Sequence, residues 1–306
     1  MRYRLGVPLD QDSKRGLTLI APPFLYAVAL MAGPMLAIVL FSFWTQDYLT
    51  IDRTLTLANY REALTDPIYR AIMGRSLWIS GLVTLITVLL AFPVAYYVSF
   101  RVRPDRKSLW LFLITIPFWT SYLLRIFLWK VILGYNGVLN SILDYINVPL
   151  EAFGNATGIL WMQEGLSAPL YSASAVVLTL SHAFAPFAIL PIFVALEKID
   201  RSLLEAARDL GETALTAFFR VTLPLAAPGI VAALLIVFIP TVGDYVTPAQ
   251  VGGPGGLMIA NMIQTQFLGL NNAPMGATLA VIAMILVTII ALATVWLARR
   301  LAGGPR

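Results

Sequence analysis

Charge is missing from long stretches of this 306-residue chain. Six segments run for about 20 apolar residues or more, the length that crosses a bilayer. They are Leu17–Trp44, Ser76–Phe100, Ser108–Leu133, Leu170–Leu196, Ala226–Val246 and Ala277–Ala298. In hydrocarbon every backbone N–H and C=O must be paired within the protein, which leaves helices or closed barrels. Runs of this length predict helices, hence an all-α integral membrane protein with six spans. The third segment carries Arg125 and Lys130 near its end and the fifth carries Asp244; the rest hold no charge. Hydrophobic residues make up 59% of the chain and charged ones 12%, against about 45–50% and about 25% in soluble domains. That excludes a soluble enzyme, a disordered protein and a nucleic-acid binder. A bilayer is the expected surroundings, and no nucleic acid is expected as a partner.

Arg2, Arg4, Lys14 and Arg15 precede the first segment, as they would a signal peptide. A signal's apolar core is only about 7–15 residues, so a first membrane anchor is the preferred reading. The remaining basic residues set orientation, because Lys and Arg in short loops stay on the cytoplasmic side. Counting those first four, four lie in residues 1–16, four in 101–107, four in 197–225 and three in the tail; of the opposite loops, 45–75 has four, offset by Asp47, Asp52, Glu62 and Asp66, and 134–169 and 247–276 have none. Both termini are therefore expected in the cytoplasm of a bacterial inner membrane. Outside, Asp66-Pro67 suits a helix cap followed by proline at the first position, so the second helix is expected to start before the membrane. Segment 134–169 holds Gly134, Asn136, Gly137, Asn140, Pro149, Gly154, Asn155 and Gly158 and reads as a turn-rich cover. Gly252-Gly253-Pro254-Gly255-Gly256 reads as an irregular turn cluster. One transmembrane domain, 1–306, accounts for the chain, with a cytoplasmic loop at about 197–225.

That loop is the most informative stretch. Ser202 and Glu205 fit a capping box. Leu203, Ala207 and Leu210 share a helical face, and Gly211 follows as a helix-terminating glycine does. Thr213 can cap a second short helix ending near Arg220, after which Pro224 begins the approach to span five. The residues alone leave two readings open, a loop lying on the membrane or a helix that docks in a partner's groove.

Glu205-Ala206-Ala207, three residues, Gly211, nine residues, then Val221-Thr222-Leu223-Pro224 resembles the EAA motif of membrane subunits of binding-protein-dependent ABC importers, with Val221 in place of the usual Ile. The resemblance implies a type I ABC importer permease fold and a coupling helix seated in an ATPase cleft. It implies that Glu205, Ala206, Ala207 and Gly211 contact the ATPase, with Arg208, Leu223 and Pro224 completing the coupling set. Further strings resemble the spermidine/putrescine permease branch. They are Ile116-Pro117-Phe118-Trp119-Thr120 followed by Arg125 and Lys130, Gly243-Asp244-Tyr245-Val246-Thr247-Pro248, Gly252-Gly253-Pro254 with Leu257-Met258-Ile259-Ala260-Asn261, and Gln264-x-Gln266-Phe267. That branch implies a polyamine substrate, or another small solute such as an opine or amino-acid derivative.

The chain has no GxxxxGK[ST] loop. Of its four lysines only Lys107 precedes a Ser or Thr, and Arg106 stands where the glycine is required. No cofactor is therefore expected on this chain; ATP and Mg²⁺ belong to a separate ATPase, and the chain itself is not an enzyme. The resemblance implies two ATPase copies, a second homologous permease subunit and a periplasmic substrate-binding protein.

For the pathway, Asp244 is either a contact for a cationic substrate or a helix-end residue, hydrated or paired with Arg125. Tyr245 reads as a cation–π contact or an interfacial anchor. Phe118, Trp119 and Tyr122 read as pathway or interfacial aromatics. Pro117 and Pro240 interrupt helix bonding, which favours spans three and five beside a water-filled route. Arg125 is expected to snorkel to the outer surface, or else to pair with Asp244, Glu151 or Glu164. His182 is expected as a hydrogen-bonded core residue rather than a proton relay. No HExxH or GxSxG is present for an intramembrane enzyme, and no inverted repeat for an ion-driven carrier.

Overall fold

The computed structural model describes residues 11–48, 50–157 and 168–302. Arg2, Arg4, Gly158 and Glu164 lie outside the described residues. Helices dominate. In chain order they are α1 (Gln11–Phe41), α2 (Ala58–Thr65), α3 (Pro67–Phe100), α4 (Pro104–Thr115), α5 (Tyr122–Ile132), α6 (Val138–Thr157), α7 (Ala173–Glu197) and α8 (Arg201–Asp209). They continue as α9 (Ala214–Val242), α10 (Ile259–Gln264) and α11 (Ala273–Ala302). A small hairpin after α1 pairs β1 (Thr45–Asp47) antiparallel to β2 (Thr50–Asp52), with Thr45 opposite Asp52.

Five helices are long and apolar enough to span: Thr18–Phe41, Pro67–Phe100, Ala173–Glu197, Ala214–Val242 and Ala273–Arg300. The expected third span is not one rod. Pro104–Trp119 and Tyr122–Ile132 meet at 86°. The cause is local: Pro117 lacks an N–H, the chain tightens into a 3₁₀ turn at Ile116–Trp119, and Thr120 and Ser121 become extended, with ψ of 147° and 137°. Pro240 behaves differently. It lies near the C-terminus of α9, which runs on through it to Val242.

The Asp66 cap forms as expected. The Ile68 N–H donates to Asp66 Oδ1 at 2.7 Å, and Pro67 opens α3. Segment 134–169 differs from expectation. Its turn residues gather before Val138, where Asn140 Nδ2 donates to the carbonyls of Gly134 (3.1 Å) and Tyr135 (3.0 Å). Val138–Thr157 winds into the 20-residue α6 despite Pro149, because Leu139, Ile142 and Ile146 fall at helical spacing. The 247–276 segment is also more regular than expected. It is a chain of helical turns, Pro248–Gly252, Gly253–Gly256, α10 and Thr265–Gly269. Gly253 is required there: its φ is +55°, and a Cβ would come within 2.6 Å of the Tyr171 carbonyl oxygen.

The core is the three-way packing of α3, α7 and α9. Ala91, Ala95 and Val98 of α3 meet Ala188, Ile192 and Leu196 of α7 and Ala226, Ala233 and Val237 of α9, all buried. Small residues let membrane helices approach closely. At Gly229 a Cβ would lie 2.4 Å from the Ala195 Cβ, so only glycine allows α9 this near α7. A second cluster, with Phe238, Ile259, Met275 and Leu279, joins α9, α10 and α11. By contrast α1 lies on the outside against α11, with none of its most apolar window buried. Its end is tied in by Thr278 Oγ1, which donates to the Ser42 carbonyl at 3.0 Å.

Candidate functional site: the coupling loop and the Asp244 cluster

The loop after α7 folds as two helices around a glycine. Its first cap is Asp200 rather than Ser202: Asp200 Oδ1 accepts from the Ser202 N–H at 3.0 Å. The helix begins two residues earlier than the capping box required, so the Ser202 N–H is itself one of the free donors at the helix start. That hydrogen bond holds the Asp200 carboxyl below the usual carboxylate range. Gly211, with φ +85°, closes α8. Its N–H donates to the Arg208 carbonyl at 2.9 Å, and the Glu212 N–H to the Ala207 carbonyl at 3.0 Å, the paired bonds of a Schellman ending. Thr213 caps the next helix by accepting from the Thr216 N–H at 3.2 Å.

That next helix does not end near Arg220. It passes through one wide π turn, Phe218–Thr222, into the spanning part of α9. Pro224 has no N–H and its ring would strike the Arg220 carbonyl in a regular helix; widening the turn accommodates it. The expected apolar face is split as well. Ala207 is buried, whereas Leu203 and Leu210 are exposed, Leu210 by 86%. Glu205, Ala206, Arg208 and Gly211 lie exposed on the loop, and Leu223 and Pro224 instead line a groove between α9 and α11 with Thr294 and Leu297.

The second site gathers residues from α5 and from the turn after α9. Asp244 follows the end of α9, where Gly243 caps it. Only 9% of Asp244 is exposed. Its Oδ1 accepts from the N–H groups of Val246 (2.9 Å) and Thr247 (3.4 Å), and its Oδ2 accepts from the Tyr122 hydroxyl. The Tyr122 oxygen also lies 2.7 Å from Thr247 Oγ1. Asn261 Nδ2 donates to the Tyr245 carbonyl at 2.7 Å, while Asn261 Oδ1 accepts from the Met258 N–H at 3.0 Å. Buried polar groups need such partners, and both carboxylate oxygens have them.

Among the described residues Arg125 reaches no acid, and it does not stand clear of the protein. Its guanidinium lies 5.1 Å from the Phe118 ring centroid and 5.8 Å from that of Tyr122, a cation–π arrangement. Its Nε is buried without a hydrogen-bond partner. Among the described residues it forms no ion pair with Asp244 or Glu151. Phe118 packs edge-on against Phe187 at 4.2 Å. Trp119 separates from this group: it is 78% exposed and contacts Phe112. Tyr245 is 46% exposed beside Asp244. His182 Nδ1 accepts from Trp129 Nε1 at 3.1 Å, so it is hydrogen-bonded as expected, but the residue is exposed beside a cavity rather than held in the core.

Sequence reasoning missed Thr247 and Asn261 as members of the Asp244 cluster. Both stood in quoted strings, but neither type carries charge, and only the folded turn brings them to Tyr122 and Tyr245. The largest cavity, about 630 Å³, lies elsewhere, between α3, α5 and α7 beside Trp78, Trp129 and His182. None of the five expected pathway residues lines it.

With this geometry in place, the relatives of the chain are informative. It is 36% identical over 266 residues to the spermidine/putrescine transport system permease protein PotB of Haemophilus influenzae, covering 86% of each chain. It is 34% identical to the Escherichia coli K12 protein of that name, covering 88% of this chain and 92% of the relative. The inner membrane ABC transporter permease protein YdcU of Escherichia coli K12 is 32% identical over 89% of this chain and 86% of its own length. Among solved structures, a chain of a bacterial ABC transporter involved in import of the acidic polysaccharide alginate superposes with a TM-score of 0.68 at 17% identity, covering 95% of this chain and 98% of that one. The family model for the binding-protein-dependent transport system inner membrane component matches residues 17–303. The chain belongs to that family, as a multi-pass inner membrane permease subunit of an ABC importer.

Proposed function

We propose that the chain forms half of the translocation path for a small organic cation, a polyamine such as putrescine or spermidine. The observation that carries this reading is the 34–36% identity, across most of the chain, to permeases named for spermidine/putrescine transport. A second, homologous permease supplies the other half. Two copies of a cytoplasmic ATPase, with ATP and Mg²⁺, supply the energy, and a periplasmic binding protein delivers substrate. Both termini face the cytoplasm, in keeping with the basic loops.

Transport runs by alternating access. The loaded binding protein docks on the outer segments, the ATPase dimer closes on ATP, and the loop around α8 passes that motion to the spans. Exposed Glu205, Ala206, Arg208 and Gly211 meet the ATPase, buried Ala207 seats α8 on the bundle, and Leu223 and Pro224 carry the motion into α9. Asp244 gives the outer part of the path a negative wall, and Tyr245, Tyr122, Phe118 and Trp119 supply ring faces for an ammonium group.

A second reading keeps the importer class and changes the cargo to an opine or amino-acid derivative. The observation favouring it is Arg125, a guanidinium with no acid partner among the described residues, suited to a carboxylate. Labelled putrescine and spermidine uptake tests both, in a host lacking its own polyamine importers and expressing this chain with its companion subunits. The expected result is uptake that is lost with Glu205→Lys and reduced with Asp244→Asn. An assembled, ATP-hydrolysing complex that imports neither polyamine removes them as cargo and leaves the second reading.

A further inference from the structure

At the cytoplasmic end of the bundle, one acid joins four chain segments. Glu197 is the last residue of α7, and only three residues separate it from the first residue of α8. Its Oε1 accepts from Ser99 Oγ, at the end of α3, at 2.7 Å and from Lys107 Nζ, in the first turn of α4, at 2.6 Å. Ser99 is buried, and the Lys107 side chain is 13% exposed, far less than the exposed basic residues Arg101, Arg103 and Arg106 in the same loop. Arg201, the first residue of α8, donates from Nη2 to the Ser99 carbonyl at 3.4 Å and lies within electrostatic reach of Glu197. The Glu197 side chain stays 35% exposed, so the junction draws on Oε1 being shared between a buried hydroxyl and a largely covered ammonium rather than on a buried ion pair.

The other end of α8 is built differently. There a positive-φ glycine, an exposed ion pair between Arg220 and Glu212 and a π turn connect it to α9. Hinges are a few loop or element-terminal residues that absorb a backbone change, and at α8 such residues lie at the Gly211 end, opposite Glu197.

We propose that Glu197 is a positioning residue for coupling: through Ser99, Lys107 and Arg201 it locks the start of α8 to the ends of α3, α4 and α7, so that movement of α8 shifts the α3–α7 pair. This rests on the reading of α8 as the ATPase-docking element. Lys107, a topological marker in the sequence, thereby becomes a functional cation.

The test uses the complete complex, this chain with its ATPase, second permease and binding protein, reconstituted in liposomes. Solute imported per ATP hydrolysed is compared for wild type, Glu197→Gln, the exchange pair Glu197→Lys with Lys107→Glu, and Glu205→Lys. The expected result is a tenfold or greater fall in solute per ATP for Glu197→Gln with the ATPase co-purifying in normal amount, and recovery of at least a third of wild-type coupling in the exchange pair. Should Glu197→Gln fail to assemble, Ser99→Ala and Lys107→Met attack the same junction from the facing helices and are expected to show the same fall. Normal coupling in Glu197→Gln while Glu205→Lys is uncoupled overturns the inference and leaves the docking reading intact. Normal coupling in both removes the docking reading, and the inference with it.

Discussion

The coupling loop and the Asp244 cluster solve opposite problems. α8 displays Glu205, Ala206, Arg208 and Gly211 outward and keeps a single residue, Ala207, in the bundle. The bonds that start and end it are local, from Asp200, Gly211 and Thr213 to residues at most five away, and its one long-range tie in the described residues is Arg201 to the Ser99 carbonyl. The Asp244 cluster hides its polar groups and satisfies them with one another, linking Tyr122 to a residue 122 positions further on. A surface meant for a partner can leave side chains uncommitted, because the partner or water will satisfy them. A polar group near membrane depth has no such reserve and must be bonded within the chain. The first site therefore leaves its side chains free to meet the ATPase proposed for it, and the second binds its own together.

The comparison breaks most visibly at the loop. Glu205→Lys or Gly211→Asp is expected to leave the protein in the membrane at normal level. Replacing a docking anchor typically costs about 2–4 kcal/mol, so retention of the ATPase on affinity purification falls roughly 30-fold or more. Retention and uptake both unchanged would show that α8 is not the docking surface.

The Asp244 cluster sharpens the contrast next. Asp244→Ala strands the Val246 and Thr247 N–H groups and leaves the Tyr122 hydroxyl only Thr247 Oγ1, and unsatisfied buried groups cost about 1–3 kcal/mol each. The purified permease should melt several degrees lower. Asp244→Asn keeps an acceptor and removes the charge, so it should retain more of the melting temperature while still losing uptake. Equal melting and equal uptake in the two variants would remove any role for the charge itself.

A smaller effect is expected at Gly253→Ala. The strained positive φ costs about 1–2 kcal/mol for a residue with a Cβ, to which the 2.6 Å approach to the Tyr171 carbonyl adds. Thermal melting reads this, and an unchanged value would mean that the turn shifts freely.

The smallest effect is a pH dependence at Asp200. Its carboxyl titrates below the usual range in the fold, so its contribution is present above the unfolded carboxylate pKa and is lost as pH falls through the lower folded value. Hydrogen exchange at the Ser202 amide, corrected for intrinsic rate, should lose protection on acidification in the native chain. Asp200→Asn should show no such step, and the same step in both would assign the titration elsewhere.

Legibility in the sequence followed range. The Asp66-Pro67 cap, the Gly211 ending and the Thr213 cap were readable because each depends on a few neighbours, and all three formed. Asp200 took the capping role read for Ser202 because both supply an oxygen at a helix start and two residues of register decided between them. Segment 134–169 was misread because its turn residues drew more notice than the helical spacing of Leu139, Ile142 and Ile146. The placement of Arg125 was not readable, since acid, surface and ring faces were all available partners.

By itself the sequence determined the membrane class, the apolar segments, the missing ATP loop and the contiguous coupling motif, because composition, span length and helix caps act over a few residues or one bilayer thickness. The tertiary structure alone decided the 86° break that turns α5 toward the end of α9, the union of Tyr122, Asp244 and Thr247, and the Glu197 junction. Those depend on which helices approach one another, and that is set by the packing of small residues such as Gly229 against Ala195. Apolar segments in a bilayer have no hydrophobic preference among neighbours, so partner choice is written in shape and is seen only when the shapes are assembled.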